Sequence, residues 1–285
     1  LAFELEARNV VAVVGHQADQ VKATLTRLFE GQPLSFALQA QQRGTGDAVN
    51  SARAALQGFS GSVMILYGDV PLLTQETLAR LVDAHRGSKA PLSMVSCRPP
   101  SPAGYGRVVR GEGGKVLGIV EDKDATAEQK AIGEINAGIY IAESAFLWSA
   151  LEKLEPKNAQ GELYLTDIVA AAAKQGSVAV VEADSQEVEG VNDKAELAAR
   201  GRVLQQRVNQ RHMLAGVTLL HPETTFIDDA VEIGPDTVIG PFVSLGAGCE
   251  IGARVTIGQG CVLSHTTIGD GSEVKPYSVL DEAHV

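Results

Sequence analysis

Two hydrophobic periods divide this chain. As far as Val181, short apolar runs of strand length alternate with stretches whose apolar residues recur every three or four positions, the pattern of strands alternating with amphipathic helices. Residues 10–14, 35–38, 64–69, 91–97, 107–110, 116–121, 134–141 and 178–181 read as strands. Residues 1–7, 19–29, 45–56, 74–87, 144–154 and 164–174 read as helical, with Thr74 as an N-cap and Gly87 as a stop. The alternation predicts a mostly parallel, doubly wound α/β sheet with 107–121 inserted as a hairpin. Residues 193–213 follow as a polar helix whose apolar stripe is intermittent (Leu197, Val203, Leu204, Val208), which suggests a connector. The period then changes to six. Ile233-Gly234, Ile239-Gly240, Leu245-Gly246, Ile251-Gly252 and Ile257-Gly258 recur without error, and Ile268-Gly269 resumes after a slip. Such a repeat predicts a parallel β-helix, each aliphatic pointing into the coil and each glycine fitting the turn after it.

Within this frame a few residues stand where chemistry is expected. The run Met64-Ile65-Leu66-Tyr67-Gly68-Asp69-Val70-Pro71 reads as a buried parallel strand ending in a tight turn at Gly68, which leaves the Asp69 carboxylate at the strand's carboxyl end. Ligands bind there in open α/β sheets, and a carboxylate is a hard oxygen donor suited to Mg²⁺; an Asp in an ordinary turn has the same spacing. Gly44-Thr45-Gly46 opens a helix, where free N–H groups can approach a base or phosphate or merely form a turn. Asn136 sits among apolar strand neighbours, so the fold or a ligand must satisfy its amide.

Composition narrows the classes of partner. With 285 residues and a formal charge of −11, without any Lys/Arg block, the chain does not suit nucleic acid or an anionic membrane as a partner. Three cysteines, Cys97, Cys249 and Cys261, have no metal-ligand spacing and imply a reducing compartment. No segment has the length and apolarity of a membrane span, so cytoplasm is the expected location. The six histidines are not spaced as a ligand set.

The stretches Gln39–Ala48, Leu66-Tyr67-Gly68-Asp69-Val70-Pro71, Gly104-Tyr105-Gly106-Arg107, Glu121-Asp122-Lys123-Asp124-Ala125, Glu134-Ile135-Asn136 and Glu189-Gly190-Val191-Asn192, in that order before a hexapeptide tail, resemble the bacterial bifunctional enzymes that make UDP-N-acetylglucosamine. The resemblance implies a Rossmann-like sugar-phosphate nucleotidyltransferase domain over 1–192, a helical linker over 193–225 and the start of a left-handed parallel β-helix over 226–285 that assembles as a homotrimer. It also implies the activity: UTP and N-acetylglucosamine 1-phosphate give UDP-N-acetylglucosamine and pyrophosphate, for peptidoglycan and lipopolysaccharide synthesis, with acetylation of glucosamine 1-phosphate from acetyl-CoA in the full-length family.

Residue by residue, the resemblance implies that Gln39, Gly44 and Thr45 hold the uridine and that Tyr67 and Gly68 flank the nucleotide. Asp69 and Asn192 would bind Mg²⁺, Asp69 being the catalytic ligand, and Gly106, Glu121 and Asn136 would line the sugar pocket. Read as residues alone, Asn192 serves equally as the N-cap of the following helix, Glu121 as an exposed strand-end charge, and Tyr67 as packing. The family's Gly-rich, basic phosphate cradle is expected before Leu1, and its acetyltransferase coils after Val285. Other readings are a nucleotidyltransferase for a different sugar 1-phosphate, or a ligand-binding and assembly module without turnover.

Overall fold

A computed structural model describes all 285 residues and divides them into two units, Leu1–Gly190 and Val191–Val285. In the first unit, β1 (Val10–Val14) and β2 (Leu34–Leu38), joined by α1 (Ala18–Leu28), pair in parallel. There follow α2 (Thr45–Ser51), β3 (Ser62–Ile65), α3 (Gln75–Ser88), β4 (Leu92–Cys97), the hairpin β5 (Arg107–Arg110) and β6 (Val116–Val120), and the short α4 (Ala127–Lys130). The unit closes with β7 (Ile135–Glu143), α5 (Ser144–Leu151), α6 (Asp167–Gln175), β8 (Val178–Glu182) and α7 (Ser185–Val188).

The alternation of strands and helices is as expected, but the sheet is mixed rather than mostly parallel. β4 pairs β8 in parallel, whereas β7 runs antiparallel to β3, β4 and β5, and β5 antiparallel to β6. The hairpin returns the chain to the sheet from its other end, and an apolar run such as 62–70 carries no information about its partner's direction. β3 also stops at Ile65, four residues before Asp69, so Leu66 to Pro71 is a loop leaving the sheet. Residues 1–7 form turns rather than a helix, with the Phe3 and Phe29 rings 5.4 Å apart. Gly87 lies inside α3, and Lys89 takes the left-handed stop at φ 54°.

Every residue of β7 but the last is buried, and its alternation feeds two cores. Tyr140 and Ala142 join Leu92, Met94, Leu147 and Ile168 on one face; Ile139 and Ile141 join Leu78, Leu81, Val95 and Cys97 on the other. Each Leu, Ile, Val or Met side chain among them contributes about 1.5–3 kcal/mol on burial. Thr74 caps α3 by accepting from Thr77 N–H and donates its own hydroxyl to Glu187 at 2.7 Å, which ties the segment after Asp69 to α7.

In the second unit α8 (Lys194–Leu214) is capped by Asp193, whose Oδ1 accepts from Ala195 and Glu196 N–H at 2.8 Å. It is not a detached connector. Val208 belongs to the β-helix core, and Asn209 Nδ2 donates to the Pro222 and Thr225 carbonyls. Strand pairing begins at Thr218–Leu219, before residue 226, and short strands build three parallel sheets, stacked as 218/238/256/273, 226/244/262/279 and 232/250/267. The first step, from Thr218 to Val238, is twenty residues, and successive coils then lie eighteen residues apart until the slip. There Glu250 pairs Thr267, seventeen on, and His265 takes the corner at φ 46°.

Ile239, Leu245, Ile251, Ile257 and Ile268 fill the coil, as the repeat predicts. So does a second series two residues earlier, Val231, Thr237, Val243, Cys249, Val255 and Cys261, which the Ile-Gly pattern does not announce. The repeat glycines do not make the turn. Asp236, Phe242, Gly248, Arg254 and Gly260, two residues later, carry the positive φ. The glycines are required because the next coil is close: a Cβ on Gly234 would lie 2.5 Å from Ala253 N, and one on Gly258 2.5 Å from Pro276 N. No helix in either unit is long and apolar enough to cross a membrane.

Candidate functional site

Strand β7 carries Asn136, one of the three residues expected to line a sugar pocket. Asn136 is buried; its N–H donates to the Gly106 carbonyl at 2.8 Å and its Oδ1 accepts from Gly138 N–H at 3.2 Å. Gly138 has φ 75°, and a Cβ there would stand 2.3 Å from Tyr67 Cε2, so the Tyr67 ring can lie against the strand only because this residue is glycine. A Cβ on Gly106 would lie 3.3 Å from Glu121 Oε2. The backbone approach at Gly106 thus brings Glu121, from the end of β6, beside Asn136.

Glu121 is half-buried, and its Oε1 accepts from the buried Thr166 hydroxyl at 2.8 Å, while Oε2 has no protein partner. Burial raises its pKa; the Thr166 hydrogen bond opposes this, and Asp124, Asp167 and Asp122 raise it further. The Tyr67 hydroxyl is pushed up to about 12, by burial first and then by the charges of Glu121 and Asp69, against a hydrogen bond with Thr45. Tyr67 is therefore a neutral hydroxyl near neutral pH, able to donate as well as accept.

The loop before α2 forms the other side. Gln39 Nε2 donates to the Gly44 carbonyl and to Asp47 Oδ2, both at 3.1 Å, and Arg43 Nη2 reaches Asp47 Oδ1 at 2.7 Å. Burial by itself would raise the Asp47 carboxyl, but the Gln39 and Arg43 hydrogen bonds outweigh it and hold it below the ordinary carboxylate range. Gly44 has φ 112°, and a Cβ there would meet the Leu163 carbonyl at 2.6 Å. Thr45 Oγ1 accepts from Leu165 N–H at 3.0 Å, and Gly46 N–H donates to the Leu163 carbonyl at 2.8 Å. The Gly-Thr-Gly turn is held by segment 163–165.

Asp69 is exposed and makes no hydrogen bond or ion pair within the protein; the bare backbone of Gly190 faces it, a Cβ there lying 3.7 Å from Asp69 Oδ2. No three His, Cys, Asp or Glu side chains gather as a metal cluster. A lone carboxylate of this kind fits a hard cation that takes most of its ligands from water and phosphate, as Mg²⁺ does. The chain turns at Gly68–Asp69 as expected, but the turn does not require glycine: the Gly68 φ is not positive and nothing lies within 4 Å of where its Cβ would be, so the residue leaves open space. Asn192 lies in the second unit. Asp193 is the N-cap there, which relieves Asn192 of that role. Asn192 Nδ2 donates to Glu196 at 3.2 Å, and Oδ1, the atom a cation would take, has no protein partner.

Within the first unit the structure thus links Thr45, Tyr67, Asp69, Gly106, Glu121 and Asn136, with Gln39 and Gly44 on the adjoining loop. Asp47, Gly138, Leu163, Leu165 and Thr166 escape a reading of the sequence. Arg43 and Asp47 at i, i+4 give a weak signal of pairing, and residues 164–166 read as the first turn of a helix, whereas α6 begins only at Asp167.

Compared with known proteins, residues 2–187 match the family described as nucleotidyl transferase, and residues 230–265 match the bacterial transferase hexapeptide, six repeats. The chain is 49% identical to a bifunctional protein GlmU of Anaeromyxobacter sp. (strain Fw109-5) over 284 residues, all of this chain and 58% of the relative. It is 50% identical to that of Geobacter metallireducens over 238 residues, 82% of this chain and 49% of the relative. With that of Pelobacter propionicus it shares 46% over 282 residues, 98% of this chain and 60% of the relative. The chain therefore spans between about half and three-fifths of the length of these curated relatives.

Proposed function

The chain belongs to the nucleotidyl transferase family, and from that premise we propose that it serves uridylyl transfer from UTP to N-acetylglucosamine 1-phosphate, giving UDP-N-acetylglucosamine and pyrophosphate. The observation that carries this reading is the meeting of Gly106, Glu121 and Asn136 beside Tyr67 and the loop leading to Asp69. Glu121 Oε2, free of protein partners, accepts a sugar hydroxyl, and the Asn136 amide, fixed through Oδ1, presents Nδ2 to the acetamido group or a neighbouring oxygen. Gln39, Gly44 and Thr45 hold the uracil and ribose on a turn already immobilised by segment 163–165, and the open space at Gly68 admits the nucleotide past Tyr67.

The sugar phosphate is its own nucleophile. A phosphate monoester has a second pKa of about 6 and is largely dianionic near neutral pH, so no protein base is required. What the chain supplies is alignment of the sugar phosphate with the α-phosphorus and a site for positive charge. Asp69 would hold Mg²⁺, and when bound the ion would neutralise phosphate oxygens; Asn192 is a ligand that the resemblance alone names. The reading makes this a cytoplasmic enzyme of envelope precursor synthesis.

Assembly as a homotrimer belongs to the same proposal. Of the outward positions on the three β-helix sheets, Phe226, Val262 and Val279 are exposed and apolar in one stack, whereas Glu232 and Glu250 occupy another. Sedimentation tests it: a monomer at micromolar concentration contradicts it.

Binding of product calls only on the uridine and sugar residues of this chain. Calorimetric titration with UDP-N-acetylglucosamine, UDP-glucose and GDP-mannose tests the reading, the first being expected to bind tightest. A preference for either of the others would give the chain another sugar.

A further inference from the structure

Segment 163–166 is hydrogen-bonded to both sides of the site. Leu163 N–H donates to the Arg43 carbonyl at 2.7 Å, the Leu163 carbonyl accepts from Gly46 N–H at 2.8 Å, and Leu165 N–H donates to Thr45 Oγ1 at 3.0 Å. One residue on, Thr166 Oγ1 donates to Glu121 Oε1 at 2.8 Å. The segment has little freedom. Leu165 is fully buried, Thr166 is 4% exposed, and Cβ atoms on Gly44 and Gly46 would collide with the Leu163 carbonyl at 2.6 and 3.0 Å. The Tyr67 hydroxyl also lies between the two sides, close enough to both Thr45 and Glu121 for each to act on its pKa.

We propose that this segment is a positioning clasp for a sugar nucleotide: Thr166 orients the Glu121 carboxylate toward the sugar while Leu163 and Leu165 fix the Gly44–Thr45 turn toward the base. The proposal rests on the sugar-nucleotide reading above. A side chain that donates to one carboxylate oxygen leaves the other aimed in a single direction, and a buried donor does so without the entropic cost of ordering a surface side chain. Thr166 touches no substrate in this scheme; it acts through Glu121. The titratable groups around Glu121 are Asp122, Asp124 and Asp167, with the hydroxyls of Tyr67, Tyr140 and Tyr164, all three pushed up and neutral. Against these the Thr166 donor favours the ionised carboxylate.

The test titrates wild type, Thr166→Val and Thr166→Ser with UDP-N-acetylglucosamine and with UMP between pH 5 and pH 8. Loss of a hydrogen bond to a charged group should weaken UDP-N-acetylglucosamine binding by about tenfold or more in Thr166→Val, leave UMP unaffected, and move the acid limb of sugar-nucleotide binding to higher pH. Thr166→Ser should restore all three. Wild-type affinities in Thr166→Val, or equal losses for both ligands that serine does not restore, would overturn the clasp. If wild type binds no nucleotide sugar, the functional reading fails instead. The carbon-13 titration of the Glu121 carboxyl in ligand-free protein then still decides the point: an identical midpoint in wild type and Thr166→Val means that Thr166 does not hold the carboxylate.

Discussion

The two units make opposite use of position. In the β-helix a residue's role is set by its place in a six-residue period. Ile239 pairs Ile257, eighteen residues on, and Ile257 pairs Val274 in the coil after that; the two isoleucines are 0% and 1% exposed. In the first unit the candidate site residues follow no period. Thr45, Tyr67, Asp69, Gly106, Glu121, Asn136 and Thr166 come from six separate stretches, joined by contacts that span as many as 120 positions in the sequence. Periodic packing is therefore redundant and legible, whereas the site is singular and is seen only once the chain has folded.

Substitutions in the two units should part accordingly. The largest effect on stability is expected for Ile239→Ala and Ile257→Ala, each costing about 2–5 kcal/mol in a core that cannot collapse around the cavity. Because the two positions are equivalent, their costs should be alike in denaturant unfolding. A wide spread between them would break the claim that the period sets the role.

Glycines sharpen the comparison at a smaller scale. Gly258→Ala drives a Cβ to 2.5 Å from Pro276 N and should cost about 1–3 kcal/mol by overpacking. Gly68→Ala meets nothing within 4 Å and has no positive φ to lose, so its stability should be unchanged or rise by about 0.4–1 kcal/mol. If Gly68 leaves room for a nucleotide, the same variant should nevertheless bind UDP-N-acetylglucosamine less well. Calorimetry beside thermal unfolding separates the two, and unimpaired binding would make Gly68 an ordinary loop residue.

How far the sequence is legible follows from the same contrast. The hexapeptides announced their sheets because a period of six has no counterpart in a helix or globular loop, yet the reason for each glycine lay in the neighbouring coil, invisible to a one-dimensional pattern. Strands of the first unit were legible as apolar runs, while the direction of β7 was not, since pairing is settled by the hairpin that precedes it. Glu121 was named only by the family resemblance, whereas Asp69 and Asn136 stood out, one closing an apolar run and the other amid apolar neighbours. Thr166 and Asp47 did not: each works through a partner 45 or 8 residues away in the chain. Asp193, not Asn192, caps α8, a choice between adjacent polar residues that only the backbone geometry makes.

The smallest predicted effect concerns pH. Asp47 is held below the ordinary carboxylate range, so its contribution to stability is fully present above the unfolded-state value of about 4 and is lost as pH falls through the lower folded value. The stability gap between wild type and Asp47→Asn should be widest near neutrality and close on acidification below about pH 4. A gap independent of pH would mean that the Gln39 and Arg43 contacts do not depend on the charge.

Asp69 decides the central claim, that the exposed carboxylate on the loop after β3 is chemistry rather than turn structure. The measurement is pyrophosphate release from UTP and N-acetylglucosamine 1-phosphate at saturating Mg²⁺, in the protein at its natural length, for wild type and Asp69→Asn. Asparagine keeps the shape and removes the anionic donor, so kcat should fall by about 10²-fold or more, as when one preorganised charge-stabilising group is removed, with thermal unfolding unchanged. Equal kcat in the two proteins would contradict the account and leave Asp69 a residue of the loop.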